Sequence, residues 1–160
     1  MATKSSKHLV LTEEGIRGLN TTLGNFVLDS GAKAVLLIDK SGQMIAAQGE
    51  TSSFDTMSIS ALITGSFNST KAIATLLGET EFKTMFQQGH SSSIYMVALS
   101  SQDVLGVIFP NQITVGRIKY KLDQVVGPVD QQLQVMYQQS PTTSPIRPAQ
   151  APAPKINDLF

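Results

Sequence analysis

The chain has no cysteine, and its 160 residues include only two histidines. Without cysteine there can be no disulfide, no thiolate nucleophile and no thiolate metal site, which suits a reducing compartment. His8 lies near the start of the chain and His90 follows Gly89, so neither has the local spacing of a metal-ligand pair. No carboxylate pair, nucleophile–base dyad or phosphate-binding glycine motif is recognisable either. The sequence therefore predicts no active site, no metal and no cofactor.

Charge is also scarce, because only 15% of the residues are charged, against about 25% in an average soluble domain. The twelve basic and twelve acidic side chains cancel, and they form no long run of one sign. This pattern excludes the electrostatic footprint of a nucleic-acid-binding protein. No apolar run approaches the roughly 18 residues that a membrane span requires. We therefore expect a cytoplasmic protein whose uncharged surface contacts other proteins.

Glycine and proline divide the chain near Ser140. All twelve glycines lie at or before Gly127, whereas five of the seven prolines lie between positions 141 and 154. A segment so rich in proline predicts an extended, disordered linker. The predicted organisation is a flexible N-terminus over 1–11, one domain over 12–139, the linker over 140–154 and a short apolar motif over 155–160. In that motif Ile156, Leu159 and Phe160 have the spacing of one helical face.

Periodicity and capping residues predict an α+β domain with the element order αββαβββα. The first two helices should begin after the N-caps Thr12 and Asp55 and end at Gly31 and Gly78. Between them, residues 34–39 and 43–48 read as a hairpin. Three strands follow at about 82–88, 94–100 and 104–109, and their short connections predict an antiparallel meander. A last helix over 114–137, bent at Pro128, completes the domain.

The predicted helix over 55–77 has two faces of different kinds. One stripe is suited to packing on a sheet and comprises Ile59, Ile63, Ser66, Thr70, Ile73 and Leu77. A second stripe of mostly small, uncharged side chains comprises Met57, Ala61, Gly65, Asn68, Ala72 and Thr75. Lys71, at the margin of this stripe, is the one charged residue between Asp55 and Gly78. A helix with so little charge is expected to be covered on more than one side.

Several segments together resemble the Roadblock family, whose members are related to the dynein light chains. They are VLLIDKSG at 35–42, Leu76–Glu79 followed by Glu81-Phe82, Tyr95-Met96, Val107–Phe109 with Asn111, and the C-terminal residues 156–160. The similarity extends over about residues 30–139 and includes the first helix only loosely. Within the family it is strongest to bacterial members that partner a Ras-like GTPase. None of these segments is a catalytic signature.

The resemblance implies a five-stranded antiparallel sheet with the long second helix on one face and the two terminal helices on the other. It also implies a homodimer in which edge strands join and the second helices lie side by side. The edge strand would be the one that contains Phe82, Lys83, Thr84, Met85 and Phe86. The partner would be a GTP-bound Ras-like GTPase that controls polarity or motility, with the protein in the cytoplasm and concentrated at a cell pole.

Three alternatives remain open at this stage. The small-residue stripe, with Lys71, would face either the GTPase or the second protomer, because small residues suit any close helix packing. The protein would either accelerate GTP hydrolysis or act as a Roadblock scaffold that positions other proteins. Of the three arginines, Arg17, Arg117 and Arg147, none lies on the predicted contact helix, so activation would proceed without an arginine finger. The motif of Ile156, Leu159 and Phe160 would either dock on the same GTPase or on a polarity protein, or be an inert frayed end.

Overall fold

A computed structural model describes residues 9–138, and this part of the chain confirms the predicted order αββαβββα. The helices are α1 (Glu13–Ser30), α2 (Thr56–Leu77) and α3 (Val115–Gln138). The strands are β1 (Ala34–Ile38), β2 (Met44–Gly49), β3 (Thr84–Gln88), β4 (Ser92–Ala98) and β5 (Val104–Pro110). The start of the predicted N-terminal segment, the predicted linker and the predicted C-terminal motif lie outside the described residues.

The five strands form one antiparallel sheet in the order β2-β1-β5-β4-β3. β1 and β5 lie at its centre, and all five residues of β1 are buried because helices cover both faces. β2 and β3 are the two edges. β3 is the more exposed of the two, since Met85 is its one residue that is even partly buried.

Two apolar clusters of unequal size hold the helices on the sheet. The larger one joins α1 and α3 to one face and includes Leu23, Val35, Leu37 and Phe109. The smaller one joins α2 to the other face and is built from six buried residues, namely Leu36, Ile38, Ile63, Phe67, Met96 and Val104. Alternate residues of β1 therefore serve opposite clusters, as the pleat of a strand requires. The predicted placement of the helices is confirmed.

The first helix begins and ends as predicted and packs closely against the last one. Thr12 Oγ1 accepts a hydrogen bond from the N–H of Gly15 at 3.0 Å, and Gly31 ends the helix with a φ of 77°. A Cβ added to Gly15 would lie 2.8 Å from Met136 Sδ on α3, so glycine allows this close approach. The last helix continues through Pro128 as a single element.

Candidate partner-binding surface

Local hydrogen bonds determine where α2 begins and ends on the sheet. Asp55 Oδ1 accepts hydrogen bonds from the N–H groups of Met57 and Ser58 at 3.1 and 3.2 Å, and Oδ2 accepts one from the Ser58 hydroxyl at 2.7 Å. The bonds from Ser58 hold the pKa of Asp55 below its usual value. At the other end, Gly78 has a φ of 75° and its N–H donates to the carbonyl of Thr75. Both predicted caps are confirmed.

The sheet-facing side of α2 consists of Ser60, Ile63, Thr64, Phe67 and Ala74, all of which are buried. Gly106 of β5 lies beneath Ile63, and a Cβ added there would come within 3.1 Å of Ile63 Cδ1. The absence of a side chain at this central strand position lets the helix approach the sheet.

The predicted sheet-facing stripe is wrong at two positions. Ile73 and Leu77 are 51% and 67% exposed, whereas Phe67, which the stripe omits, is buried. The reason is that the buried side of the helix follows Ser60, Ile63, Phe67 and Ala74, and this line is rotated from the predicted stripe. Ile63 is buried as predicted, and Ile59 is partly buried and packs against the smaller cluster.

The predicted small-residue stripe lies entirely on the exposed side of α2. Met57, Ala61, Gly65, Asn68, Ala72 and Thr75 are all exposed, as is Lys71. A Cβ added to Gly65 would meet no other atom within 4 Å apart from the helix's own backbone and neighbours. The stripe is therefore separate from the core of its own subunit, and space remains above it for another molecule.

Three large apolar residues extend this exposed side, although neither predicted stripe places them there. Leu62, Ile73 and Leu76 are 70%, 51% and 87% exposed. At about 100° per residue, all three lie on the half of the helix turned away from Phe67, so a helical wheel centred on that residue would have found them. We call the exposed set the α2 outer surface; it comprises Met57, Ala61, Leu62, Gly65, Asn68, Lys71, Ala72, Ile73, Thr75 and Leu76.

The predicted edge strand lies at the edge of the sheet, but it is shorter than expected. Thr84, Met85 and Phe86 belong to β3, whereas Phe82 and Lys83 precede it. The pairing with β4 begins at Thr84 and Val97, and the side chain of Phe82 instead lines a small pocket beside α2. Lys83 is exposed, and its carbonyl accepts a hydrogen bond from Ala98 at 2.8 Å.

The hydrogen-bond register shows which residues of β3 face the open edge. The bonds Ala98 N–H to Lys83 O and Gly89 N–H to Ser92 O identify the bonded pairs, and such pairs alternate along an antiparallel ladder. The backbone groups of Thr84 and Phe86 therefore point away from β4 and are free to pair with another strand. Phe86 keeps its ring stacked on Phe109, with the ring centroids 6.2 Å apart.

The arginines of the described residues lie on the layer opposite α2. Arg17 is exposed on α1. Arg117, at the start of α3, donates from Nε to Ser30 O at 3.1 Å and from Nη2 to Asp29 O at 2.9 Å. Its guanidinium thus binds carbonyls at the C-terminal end of α1, where the helix dipole favours a cation. Arg147 lies outside the described residues, as do Ile156, Leu159 and Phe160.

A buried carboxylate joins the end of α3 to the sheet. Asp103 is fully buried and accepts hydrogen bonds from the Tyr137 hydroxyl at 2.8 Å, the Ser101 hydroxyl at 2.6 Å and the Lys40 N–H at 3.1 Å. Burial raises the pKa of Asp103, and these hydrogen bonds oppose the rise. Burial and the adjacent carboxylate also raise the pKa of Tyr137, which keeps its hydroxyl a donor. No spacing rule in the sequence indicates this pair.

Asp103→Asn should make the stability of the domain less dependent on pH. Because the pKa of Asp103 is raised by folding, the native state favours the protonated carboxyl, so the free energy of unfolding should fall as pH rises above about 3.9. Asparagine can still accept from Tyr137 but does not titrate. Denaturant unfolding between about pH 4 and 7 should therefore show a smaller loss of stability with rising pH in the variant. Parallel curves for the two proteins would contradict this assignment.

Within residues 9–138, no three acidic, histidine or cysteine side chains come together as a metal site. In the same range, no helix is both long and apolar enough to cross a membrane. The candidate functional site is therefore a surface, formed by the exposed side of α2 and the open edge of β3.

The Roadblock/LC7 domain family model matches residues 19–109, which is more than half of the chain. The chain belongs to the Roadblock/LC7 family. Comparison with curated protein sequences gives no match. Membership of this family, together with the likeness to solved MglB structures, indicates a regulatory role for this Roadblock protein.

Solved structures place this Roadblock protein near MglB. Myxococcus xanthus MglB is 32% identical with a TM-score of 0.74, and the match covers 80% of this chain and 96% of that one. The gliding protein MglB from Thermus thermophilus is 22% identical with a TM-score of 0.73, covering 81% and 98%. A Roadblock/LC7 domain from Streptomyces avermitilis is 14% identical with a TM-score of 0.64, covering 72% and 97%. The last two likenesses concern the fold alone.

Proposed function

We propose that this Roadblock protein is a homodimeric activator of a bacterial Ras-like GTPase of MglA type. It acts in the control of cell polarity or motility, in the cytoplasm and concentrated at a cell pole. The observation that carries the proposal is the α2 outer surface, a long exposed helix side with one charged residue, Lys71. The likeness to MglB supports the choice of partner.

The exposure of large apolar side chains on α2 supports a protein partner. Met57, Leu62 and Leu76 are each at least 70% exposed, and they lie among small residues that allow a flat surface to approach. Contiguous apolar patches on a soluble domain mark interaction sites, whereas single exposed apolar residues do not. On α1, by contrast, Leu28 is exposed on a helix that also carries charged side chains.

Pairing of two β3 edges accounts for the homodimer. Thr84 and Phe86 present free backbone groups, so a second copy can continue the sheet by strand addition. Such pairing is two-fold symmetric and brings two α2 helices to the same face of one continuous sheet. The more apolar flank, with Leu62 and Ile73, suits the permanent contact between protomers. The flank with Met57, Asn68, Lys71 and Thr75 then remains for one GTPase that straddles the dyad.

Activation proceeds without an arginine finger. Arg117 is engaged with the end of α1 and Arg17 lies on the same layer, so neither belongs to the α2 outer surface. The protein instead favours a GTPase conformation whose own residues are correctly placed for hydrolysis. An acceleration of tenfold to a hundredfold requires about 1.4–2.7 kcal/mol of selective binding to that conformation. A protein interface of ordinary size provides this difference.

Phosphate release from the GTPase, with and without the purified protein, tests the proposal. We expect faster release when the protein is added in excess over the GTPase, at fixed nucleotide concentration. The alternative function is a Roadblock scaffold that positions other proteins. A scaffold would bind the GTPase, as light scattering or calorimetry detects, and leave the hydrolysis rate unchanged.

The C-terminal motif is proposed to strengthen this complex. Ile156, Leu159 and Phe160 would form one apolar helical face on the partner, and a linker of about fifteen residues would span roughly 45 Å if extended. Tethering of this kind gives an effective concentration of order millimolar, so even a weak contact contributes.

Deletion of residues 155–160 should therefore weaken GTPase binding by about tenfold and slow activation or nucleotide exchange. A full-length variant with serine at Ile156, Leu159 and Phe160 retains the length of the chain and loses only the apolar face. It should therefore weaken GTPase binding as much as the deletion does. Titration by calorimetry and stopped-flow kinetics provide the measurements. Kinetics identical to those of the unmodified chain would refute docking of the motif.

A further inference from the structure

A groove lies between α1 and α3, on the face of the sheet opposite the α2 outer surface. It has a volume of about 340 Å³ and is lined by Thr12, Glu14, Gly15, Gly18, Gln132, Val135 and Met136. Met136 lies at its floor, since this residue lines the groove but is only 1% exposed. The α1 wall carries two glycines, so no side chain of α1 fills the space between the helices there.

The surface of the groove is mainly apolar and offers few free polar groups. Val135 is 50% exposed, which leaves an apolar side chain without cover on the α3 wall. The side chain of Thr12 accepts a hydrogen bond from its own helix, and Gln132 Nε2 donates to Thr22 Oγ1 at 3.1 Å. Glu14 is the charged residue of the lining, and it is exposed. The groove therefore suits an apolar segment that carries one positive charge at its edge.

The C-terminal motif, residues 155–160, has this chemistry. Its three apolar side chains have the spacing of one helical face, and Lys155 is its first residue. On a helical wheel Lys155 flanks that face, whereas Asp158 lies on the side turned away from it. The lysine can therefore approach Glu14 without bringing the aspartate close to it. Residues 1–8, at the other end of the chain, contain only two apolar side chains and match the groove less well.

The end of α3 attaches the motif beside the groove. Val135 and Met136 lie three and two positions before Gln138, the last residue of α3, which corresponds to about 3–5 Å along the helix axis. The proposed linker can span roughly 45 Å, so its length permits a return over so short a distance. Tethering gives the motif an effective concentration of order millimolar at the groove. A contact too weak to form between separate molecules would therefore be populated within one chain.

We propose that the groove between α1 and α3 holds the C-terminal motif of the same chain when no GTPase is bound. The apolar face of the motif covers Val135 and Met136, and Lys155 pairs with Glu14. The docking itself is independent of the proposed function, but its regulatory consequence rests on it. Because one motif cannot occupy the groove and the GTPase together, docking lowers the apparent affinity for the GTPase by the fraction of motifs that are free.

Amide chemical shifts of the full-length protein test the docking without any GTPase. Deletion of residues 155–160 should shift the resonances of Gly15 and Gly18 and leave those of Gly65 and Gly116 unchanged. The full-length variant with serine at the three apolar positions of the motif should give the same shifts as the deletion. Unchanged groove resonances, or a shift at Gly65 in place of Gly15, would overturn the inference. Groove shifts that vary with protein concentration would overturn it as well, since they would indicate the motif of another molecule.

Val135→Lys tests the regulatory consequence, because it removes apolar surface and places a second ammonium group near Lys155. If about two thirds of the motifs are docked, their release should raise GTPase affinity about threefold. Tyr120→Lys is the matched control: Tyr120 is 64% exposed on the same helix and does not line the groove, so GTPase affinity should be unchanged. Glu14→Lys should also release the motif, and its combination with Lys155→Glu should restore the groove shifts.

The outcomes separate this inference from the proposed function. If the unmodified protein stimulates GTP hydrolysis and its groove resonances do not respond to the deletion, the inference is overturned and the function stands. If the groove resonances respond but the protein neither binds nor stimulates the GTPase, the function fails and the docking stands. If Val135→Lys abolishes the groove shifts and leaves GTPase affinity unchanged, the regulatory consequence is overturned.

Discussion

Replacement of Gly65 by Arg is expected to abolish stimulation of the GTPase while the domain remains folded. Gly65 lies at the middle of the α2 outer surface, and a side chain there would project into open space. Arginine also has the higher helix propensity, so the helix itself should gain somewhat less than the roughly 0.8–1 kcal/mol that separates glycine from alanine. An unpaired charge buried in the complex, however, should reduce GTPase affinity by a hundredfold or more, which corresponds to about 2.7 kcal/mol.

Gly116→Arg provides a matched control for this change. Gly116 is also an exposed helical glycine with no atom near an added Cβ, but it lies on α3, on the opposite face of the sheet. The control should bind and activate the GTPase as the unmodified protein does. Affinity by calorimetry and phosphate release should be measured for both variants, with circular dichroism as the check on folding. Full stimulation by a folded Gly65→Arg variant would remove α2 from the proposed interface.

Thr84→Pro is expected to convert the proposed homodimer into a monomer. The N–H of Thr84 points to the open edge, so proline removes a donor from the pairing between protomers and none from the pairing with β4. Loss of that backbone contact and the steric obstruction by the ring should raise the dimer dissociation constant by at least about a hundredfold. Sedimentation equilibrium or light scattering over a range of concentrations measures the change.

The adjacent residue provides the contrasting variant. Met85 belongs to a bonded pair with Met96, so proline there should break a hydrogen bond within the subunit and lower the unfolding temperature. Thr84→Pro should leave that temperature nearly unchanged when both proteins are compared as monomers. A dimer of undiminished strength in Thr84→Pro would exclude β3 as the contact between protomers.

Features that depend on local sequence were predicted well. The helix ends at Thr12, Gly31, Asp55 and Gly78 follow from capping chemistry, which needs only a few neighbouring residues. The exposed position of the small-residue stripe followed from helical spacing and the near absence of charge. The family resemblance added the sheet and the placement of helices on its two faces, which the element order alone leaves undetermined.

Features that depend on distant contacts were missed. Ile73 and Leu77 of the predicted sheet-facing stripe face solvent because the sheet accommodates Phe67 and the small residue Ala74 instead. The strand start at Thr84 reflects pairing with Val97, thirteen positions further along the chain. The bond between Asp103 and Tyr137 joins residues 34 positions apart, and Arg117 reaches residues 87 and 88 positions away. No periodicity or spacing within a short window contains this information.

The unequal size of the two cores has a consequence for how such a protein diverges. The larger cluster anchors α1, α3 and the central strands, whereas α2 is held mainly by Ile63, Phe67 and Ala74. Substitutions on the free side of α2 therefore leave most of the buried apolar area intact. Descendants of one ancestral scaffold can alter that helix to follow a changing binding partner while the remainder of the fold stays nearly constant.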